Sequence, residues 1–279
     1  MTDKPLFSPG ALVAPVIKWL NENAHGLFSA ISTSVEASLR LAEAVLLLLP
    51  APVMAALIIA LVLWREGARM ALLALGCLAV AGLSGLWAAT MQTVALVTTS
   101  VVIAVAVAFP LGILAARRPR LEATLRPILD LMQTVPPWVY LIPAVMIFSL
   151  GKVPAMLATV IYGIPPMLRI TTLAFKHVPR ELVELGAASG ATDFQTLTKI
   201  EIPSARNTLL LGLNQCILVS LAMVVLAGLV GAGGLGAEVT RGLTRMEMGL
   251  GLRSGLAIVA VAIFLDRISR KALEHRAPR

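Results

Sequence analysis

The chain has 279 residues, 58% of them hydrophobic and 14% charged, with a mean hydropathy of +0.89 and a formal net charge of +8. That apolar content lies outside the range of soluble domains, and at roughly 20 apolar residues per helical crossing the length admits about six to eight crossings and excludes a large soluble domain. The positive residues flank apolar runs instead of forming a basic face with interleaved aromatics, which excludes nucleic acid as a partner and fits the positive-inside pattern.

The runs lack the dyad alternation of barrel strands, so the predicted fold is all-α, a polytopic protein in a lipid bilayer. Residues 12–31 place Val13, Val16, Ile17, Leu20, Ala24, Leu27, Phe28 and Ile31 at helical spacing, with Lys18, Asn21, Glu22 and Asn23 elsewhere on the wheel. This is the pattern of a helix lying on a membrane surface, with a loosely ordered leader as the alternative. Residues 1–41 therefore read as an N-terminal extracytoplasmic, interfacial segment, and no signal cleavage is expected. A first span follows over 42–64, interrupted by Pro50 and Pro52. Residues 71–116 carry no charge; as one helix they would reach about 69 Å, so they make two spans, turning near WAATMQT. The basic stretch RRPRLEATLR precedes spans over 131–150, 153 to about 168, 209–230 and 252–265, for seven in all. Residues 42–90 thus hold the first two spans and 91–270 a core. With the N-terminus outside, the larger share of the 23 Lys and Arg residues, the 178–207 insert and the 271–279 tail fall in the cytoplasm.

The insert interrupts lipid-like segments with VPRELVELGAASGATDFQTLTKIEIPSARN. Pro179 suits a helix's first turn, and Glu181 and Glu184 follow where the positive dipole end favours carboxylates. Leu182 and Leu185 share a face, and Gly190 suits a left-handed termination. Thr192 and Gln195 form a Thr-x-x-Gln capping box, which starts a second helix with Phe194, Leu197 and Ile200 on one face, stopping at Pro203. Two amphipathic helices this short need a partner surface. The residues leave open whether it is another protein, the rest of this chain or lipid.

Glu184, Gly190, Ile200 and Pro203 reproduce the spacing E-x5-G-x9-I-x-x-P. This resembles the EAA loop of permease subunits of binding-protein-dependent ABC importers, which seats in a groove of a separate ATPase. Leu185 and Gly186 stand where that motif prefers alanines. The blocks LDLMQTVPPWVYLIPAVMIFSLGKVPAMLATVIYGIPPMLRIT and GLNQCILVSLAMVVLAGLVGAGGLGAEVTRGL look like the glycine betaine/proline (quaternary amine) importer permeases, and the likeness covers roughly 86–270. The resemblance implies the type I importer permease (MetI-like) fold. It also implies an ATPase partner seated on Glu184, Gly186, Ala187, Ala188, Gly190, Ala191, Ile200 and Pro203, an extracytoplasmic binding protein and a homodimer.

GAGGLG over 231–236 fits G-x-G-x-x-G, but a membrane helix precedes it and Asp266 lies too far on, so it reads as an outer turn allowing close helix approach and not as a dinucleotide site. No G-x4-G-K-[ST] occurs. ATP must bind a separate subunit, and no cofactor is expected in this chain. Asp130 and Asp266 sit at predicted cytoplasmic ends, and Glu238 and Glu247 on the outer side. A coupled symporter would place an acid deeper. Gln133, Thr134, Pro136 and Pro137, with Asn214, Gln215 and Ser220, form two polar clusters that line the translocation path or join helices by hydrogen bonds. Trp138, Tyr140 and Tyr162 offer faces to a quaternary ammonium or anchor at the interface. Cys77 and Cys216 lack metal-ligand spacing, His25, His177 and His275 are scattered, and no enzyme chemistry or metal site is expected.

The expected function is the transmembrane subunit of an ATP-driven importer for glycine betaine, proline or a related solute including choline. The alternatives are an ABC permease for another small polar solute, such as an amino acid or sulfonate, an ATP-independent channel or carrier, and a membrane scaffold.

Overall fold

The computed structural model describes residues 15, 17–20 and 22–274, with side chains to residue 270. Val13, Val16 and Asn21 of the expected surface helix, and the tail from 275 onwards, lie outside the described residues.

The described chain is helical in α1 (His25–Leu47), α2 (Ala51–Glu66), α3 (Ala68–Leu83), α4 (Trp87–Arg117), α5 (Pro119–Thr134), α6 (Pro137–Phe148), α7 (Lys152–Lys176), α8 (Arg180–Ala188), α9 (Asp193–Thr196), α10 (Ile202–Leu229), α11 (Gly234–Thr244) and α12 (Met248–Glu274). A π turn, Leu197–Glu201, joins α9 to α10. Among the described residues four helical stretches are long and apolar enough to cross a membrane alone, and the bent pairs α1/α2 and α5/α6 raise this to six. The shorter apolar α3 brings the architecture to the expected seven or so passes.

Four of the expected boundaries are corrected. α1 and α2 meet at 92°. Pro50 caps α2 in extended geometry (ψ 146°) and Pro52 occupies its first turn, so the backbone donors that would continue α1 are missing; the interruption falls at the expected prolines, but residues 42–47 belong to a helix that begins at His25 and not to a span starting at 42. α5 and α6 meet at 93°. There Val135 and Pro136 are extended (ψ 126° and 140°), as the residue before a proline prefers, and this breaks the span expected over 131–150. α7 does not stop near residue 168. Pro165 and Pro166 lie inside it, both buried with Met167, Leu168 and Thr171, and that packing carries the helix on to Lys176. The turn expected near 87–93 falls at 84–86, where Gly85 takes φ +70°.

The centre is α4, α7 and α10, drawn together by small residues. A Cβ on Gly112 would lie 2.6 Å from Thr171 Cβ, one on Gly163 3.1 Å from Cys216 Sγ, and one on Gly212 3.1 Å from Ile170 Cβ. Close backbone approach of this kind is how membrane helices gain dispersion energy where lipid removes the hydrophobic drive. The 231–236 turn behaves as expected of an approach motif. A Cβ on Gly228 would lie 2.2 Å from Gly236 C, while Gln92 Oε1 accepts from Gly234 N–H at 3.0 Å and Thr93 Oγ1 from Leu235 N–H at 2.8 Å.

These connections define two ends. At the insert end, Ile113, Ala174 and Phe175 pack against Val178, Ala205 and Leu209. At the opposite end α1 lies across the core, with Val35 and Leu39 buried among Leu96, Val153, Met156 and Ala227. Lys152 Nζ clasps both oxygens of Glu43 at 2.7 Å, and Phe28 meets Phe148 edge-on at 5.6 Å. The N-terminal amphipathic helix thus spends part of its apolar stripe on protein.

Candidate functional site

The insert is built by its local sequence. Pro179 lacks an N–H and stands as the N-cap of α8, with Glu181 in the first turn. Ser189 N–H donates to Leu185 O at 3.0 Å and Ala191 N–H to Gly186 O at 3.0 Å across Gly190, whose φ of +74° is the left-handed conformation that glycine supplies at least cost. Both halves of the capping box form: Gln195 N–H donates to Thr192 Oγ1 at 3.3 Å, and Thr192 N–H to Gln195 Oε1 at 2.9 Å.

Two expectations about this unit are corrected. The second helix does not stop at Pro203. In the π turn Ile202 N–H donates to Leu197 O, and this wider winding admits the Pro203 ring in the first turn of α10, so the unit runs straight into a membrane helix. Phe194, Leu197 and Ile200 also divide instead of sharing a face. Phe194 is 72% exposed, Leu197 packs with Val183 and Ile202 on the core, and Ile200 turns toward α8.

Gly186 explains that turn of Ile200. A Cβ there would lie 2.5 Å from Ile200 Cδ1 and 3.5 Å from Thr196 Oγ1, so the glycine lets the two helices close on each other. The outward side carries Glu184, Ala187, Ala188 and Gly190, all exposed, with Leu185 at 63% exposure. A shallow hollow of about 370 Å³ is lined by Leu185, Gly186, Gly190, Ala191, Lys199 and Ile200 among others. Apolar groups standing free around a hollow, on a unit whose other side is fixed to α4, α7 and α10, make a surface able to seat a partner.

The two polar clusters within the spans face different neighbours. Gln133, Thr134, Pro136 and Trp138 are exposed around the α5/α6 elbow. Tyr140 O–H closes that elbow by donating to Met132 O at 2.7 Å, and its ring lies 6.5 Å from that of Tyr162 in a tilted pair. Pro137 starts α6. Asn214 is buried, its Oδ1 accepting from Ser269 Oγ of α12 at 3.0 Å. Gln215 is exposed, and Ser220 is fully buried beside Gly163. Among the described residues no group of three or more His, Cys, Asp or Glu side chains could hold a metal.

Sequence reasoning missed the long-range ion pairs. Arg117 Nη2 donates to Glu201 Oε2 at 2.6 Å, Lys176 pairs with Glu122, and Arg169 pairs with Asp130. The last two border a cavity of about 460 Å³ between α5 and α7. In the sequence these groups counted only as markers of topology. The i,i+4 spacing of Glu122 and Arg126 was the one local signal of a charged face.

Residues 108–276 match the family model described as "Binding-protein-dependent transport system inner membrane component". The chain is 38% identical over 268 residues to the glycine betaine/proline betaine transport system permease protein ProW of Escherichia coli (strain K12), covering 96% of this chain and 75% of that one. It is 40% identical over 254 residues to the glycine betaine transport system permease protein OpuAB of Bacillus subtilis (strain 168), covering 91% and 90%. A solved structure of the MetNI methionine ABC transporter in inward-facing conformations aligns with a TM-score of 0.59 at 22% identity, over 67% of this chain and 93% of that one, a likeness of fold alone.

Proposed function

Because the chain belongs to the family of binding-protein-dependent transport system inner membrane components, we propose that it passes glycine betaine, proline betaine or a related quaternary amine, choline and proline included, through the membrane. It is a multi-pass permease subunit of an ABC importer and not an enzyme. Energy comes from an ATPase subunit, and solute from an extracytoplasmic binding protein. The observation that carries the solute class is identity spread over nearly the whole chain with betaine permeases of two distant bacteria.

In this reading Glu184, Gly186, Ala187, Ala188, Gly190, Ala191, Ile200 and Pro203 form the ATPase-coupling surface. Its support is the outward hollow and the exposed Leu185 and Phe194. The insert end is cytoplasmic, the C-terminus lies on that side, and the N-terminal segment with α1 lies outside, as the positive residues at the insert end favour. Two copies of the core, roughly residues 91–270, enclose the path. Gln133, Thr134, Pro136, Pro137, Trp138, Tyr140 and Gln215 are exposed or half-buried, as path residues must be. Asn214 and Ser220 set the wall from behind. ATP is bound by the partner subunit and this chain holds no cofactor of its own.

Liposomes containing the chain, its ATPase and its binding protein should accumulate labelled glycine betaine only when ATP is supplied. Uptake of sulfonates or common amino acids in preference to quaternary amines would replace the solute class, and equal flux without the ATPase would replace the mechanism.

A further inference from the structure

α5 is held in an unusual way for a membrane-protein helix. Leu129 is its one buried side chain, and a cavity of about 460 Å³ separates it from α7. The insert, by contrast, packs its Val178, Val183, Leu197 and Ile202 on the ends of α4, α7 and α10. Apolar packing therefore ties the insert firmly to those three helices, whereas α5 is held by a narrow apolar seam of Leu129 with the half-buried Leu125 and Met132. Charge supplements that seam at the insert end. Glu201, in the π turn of the insert, is bound by Arg117, the last residue of α4, and α5 begins just beyond at Pro119. Lys176, the last residue of α7 before the insert, binds Glu122 in the first turn of α5, and Arg126 approaches the same carboxylate at 3.5 Å. Arg169 binds Asp130 about two turns farther along.

The carboxylates of the first two pairs are the better shielded partners. Glu201 is 14% and Glu122 21% exposed, against 47% for Arg117 and 40% for Lys176. Partial desolvation of one partner keeps a pair from being fully screened by salt. At its other end α5 stops at the Val135–Pro136 elbow, beside Gln133 and Thr134.

We propose that the Arg117–Glu201 and Lys176–Glu122 pairs are a relay that carries displacement of the 178–207 unit into α5, which swings as a lever about the Val135–Pro136 elbow. The proposal rests on the reading that this unit seats an ATPase. The four residues are positioning residues: none touches the solute, and each acts by fixing where α5 stands relative to the unit. With Arg117 and Lys176 each about half exposed, these pairs contribute modestly to stability, so breaking one loosens its locality without unfolding the chain and weakens the transmission of movement.

The test uses the full complex of this chain, ATPase and binding protein in liposomes, with uptake of labelled glycine betaine and ATP hydrolysis measured on the same vesicles. Arg117→Glu should lower solute moved per ATP by about threefold or more, with capture of the ATPase unchanged. The swapped pair Arg117→Glu/Glu201→Arg should restore the ratio. Arg117→Gln, which introduces no repulsion, gives the same reading should the reversal fail to assemble. An unchanged ratio in the single variants, or a loss that the swap does not restore, overturns the relay. The docking reading is read separately from Leu185→Asp on the outward face: lost ATPase capture sustains it, and normal capture overturns it together with the relay.

Discussion

Gly186→Ala tests how the two insert helices close. The new Cβ would lie 2.5 Å from Ile200 Cδ1, whereas carbon atoms rest at about 3.5–4.0 Å, so the δ-methyl must withdraw by about 1 Å. That methyl ends a flexible side chain, and moving χ2 off its well costs about 0.5–1.5 kcal/mol. Alanine in place of glycine within α8 returns about 0.8–1 kcal/mol of helix propensity. The two nearly cancel, and the single variant should melt within about 4 °C of the parent. Ile200→Val alone loses about 0.8 kcal/mol with its methylene. It also removes the obstacle, so in that background Gly186→Ala should stabilise by its full propensity, about 0.8–1 kcal/mol. The diagnostic result is this dependence on background, measured as a double-mutant cycle of melting temperatures on the detergent-purified chain. A drop beyond about 8 °C for Gly186→Ala, or the same change in both backgrounds, refutes the packing account.

Gly236→Ala should behave oppositely, because its Cβ would lie 1.9 Å from Val224 O, a backbone atom that no rotamer change can move; a cost of about 3 kcal/mol or more should appear as loss of monodisperse protein on fluorescence-detected size exclusion. Lys152→Met leaves the Glu43 carboxylate, 15% exposed, without its partner, and α1 should loosen so that limited proteolysis before residue 51 quickens, while adding Glu43→Gln should slow it again. Tyr140→Phe removes the 2.7 Å bond to Met132 O and should cost about 1 kcal/mol, seen as a small fall in melting temperature and a larger fall in uptake if the α5/α6 elbow sits in the path.

The parts of this structure legible in the sequence are those whose cause is local. The capping box at Thr192 and Gln195 and the left-handed Gly190 depend on residues within one or two turns, and both stand as the spacing predicts. The GAGGLG turn was recognisable as a place for close approach because glycine's lack of a side chain is itself the signal. What escaped were outcomes of competition between local and distant terms. Pro203 and the pair Pro165–Pro166 have the same local propensity to end a helix as Pro50, yet only Pro50 marks a break, since buried packing on α7 and the π turn before α10 keep the other two helices continuous. Ile200 closes on Gly186 while Phe194 stays exposed, and the first of these is a contact across fourteen residues that helical periodicity cannot register. The ion pairs at the insert end were invisible for the same reason: Arg117 and Glu201 are 84 residues apart, and Lys176 and Glu122 54.

That division has a mechanical meaning. A transporter must keep some helices together while others move, and the two requirements call for different chemistry. α4, α7 and α10 touch at Gly112, Gly163 and Gly212, where separations of a few tenths of an ångström decide the fit. Dispersion falls steeply with distance, so such contacts are lost abruptly on separation and favour keeping the three helices together. α5 has one buried side chain and two ion pairs to α7, both bordering a cavity. Coulomb attraction falls only as the inverse of distance, so charged pairs can lengthen, shorten or take on a water without releasing the helix. The same contrast recurs at the other end, where Lys152 and Glu43 hold α1 over the core. In the proposed coupling, tight glycine contacts would therefore belong to the elements that carry the insert's displacement, and ion pairs to the elements that yield to it.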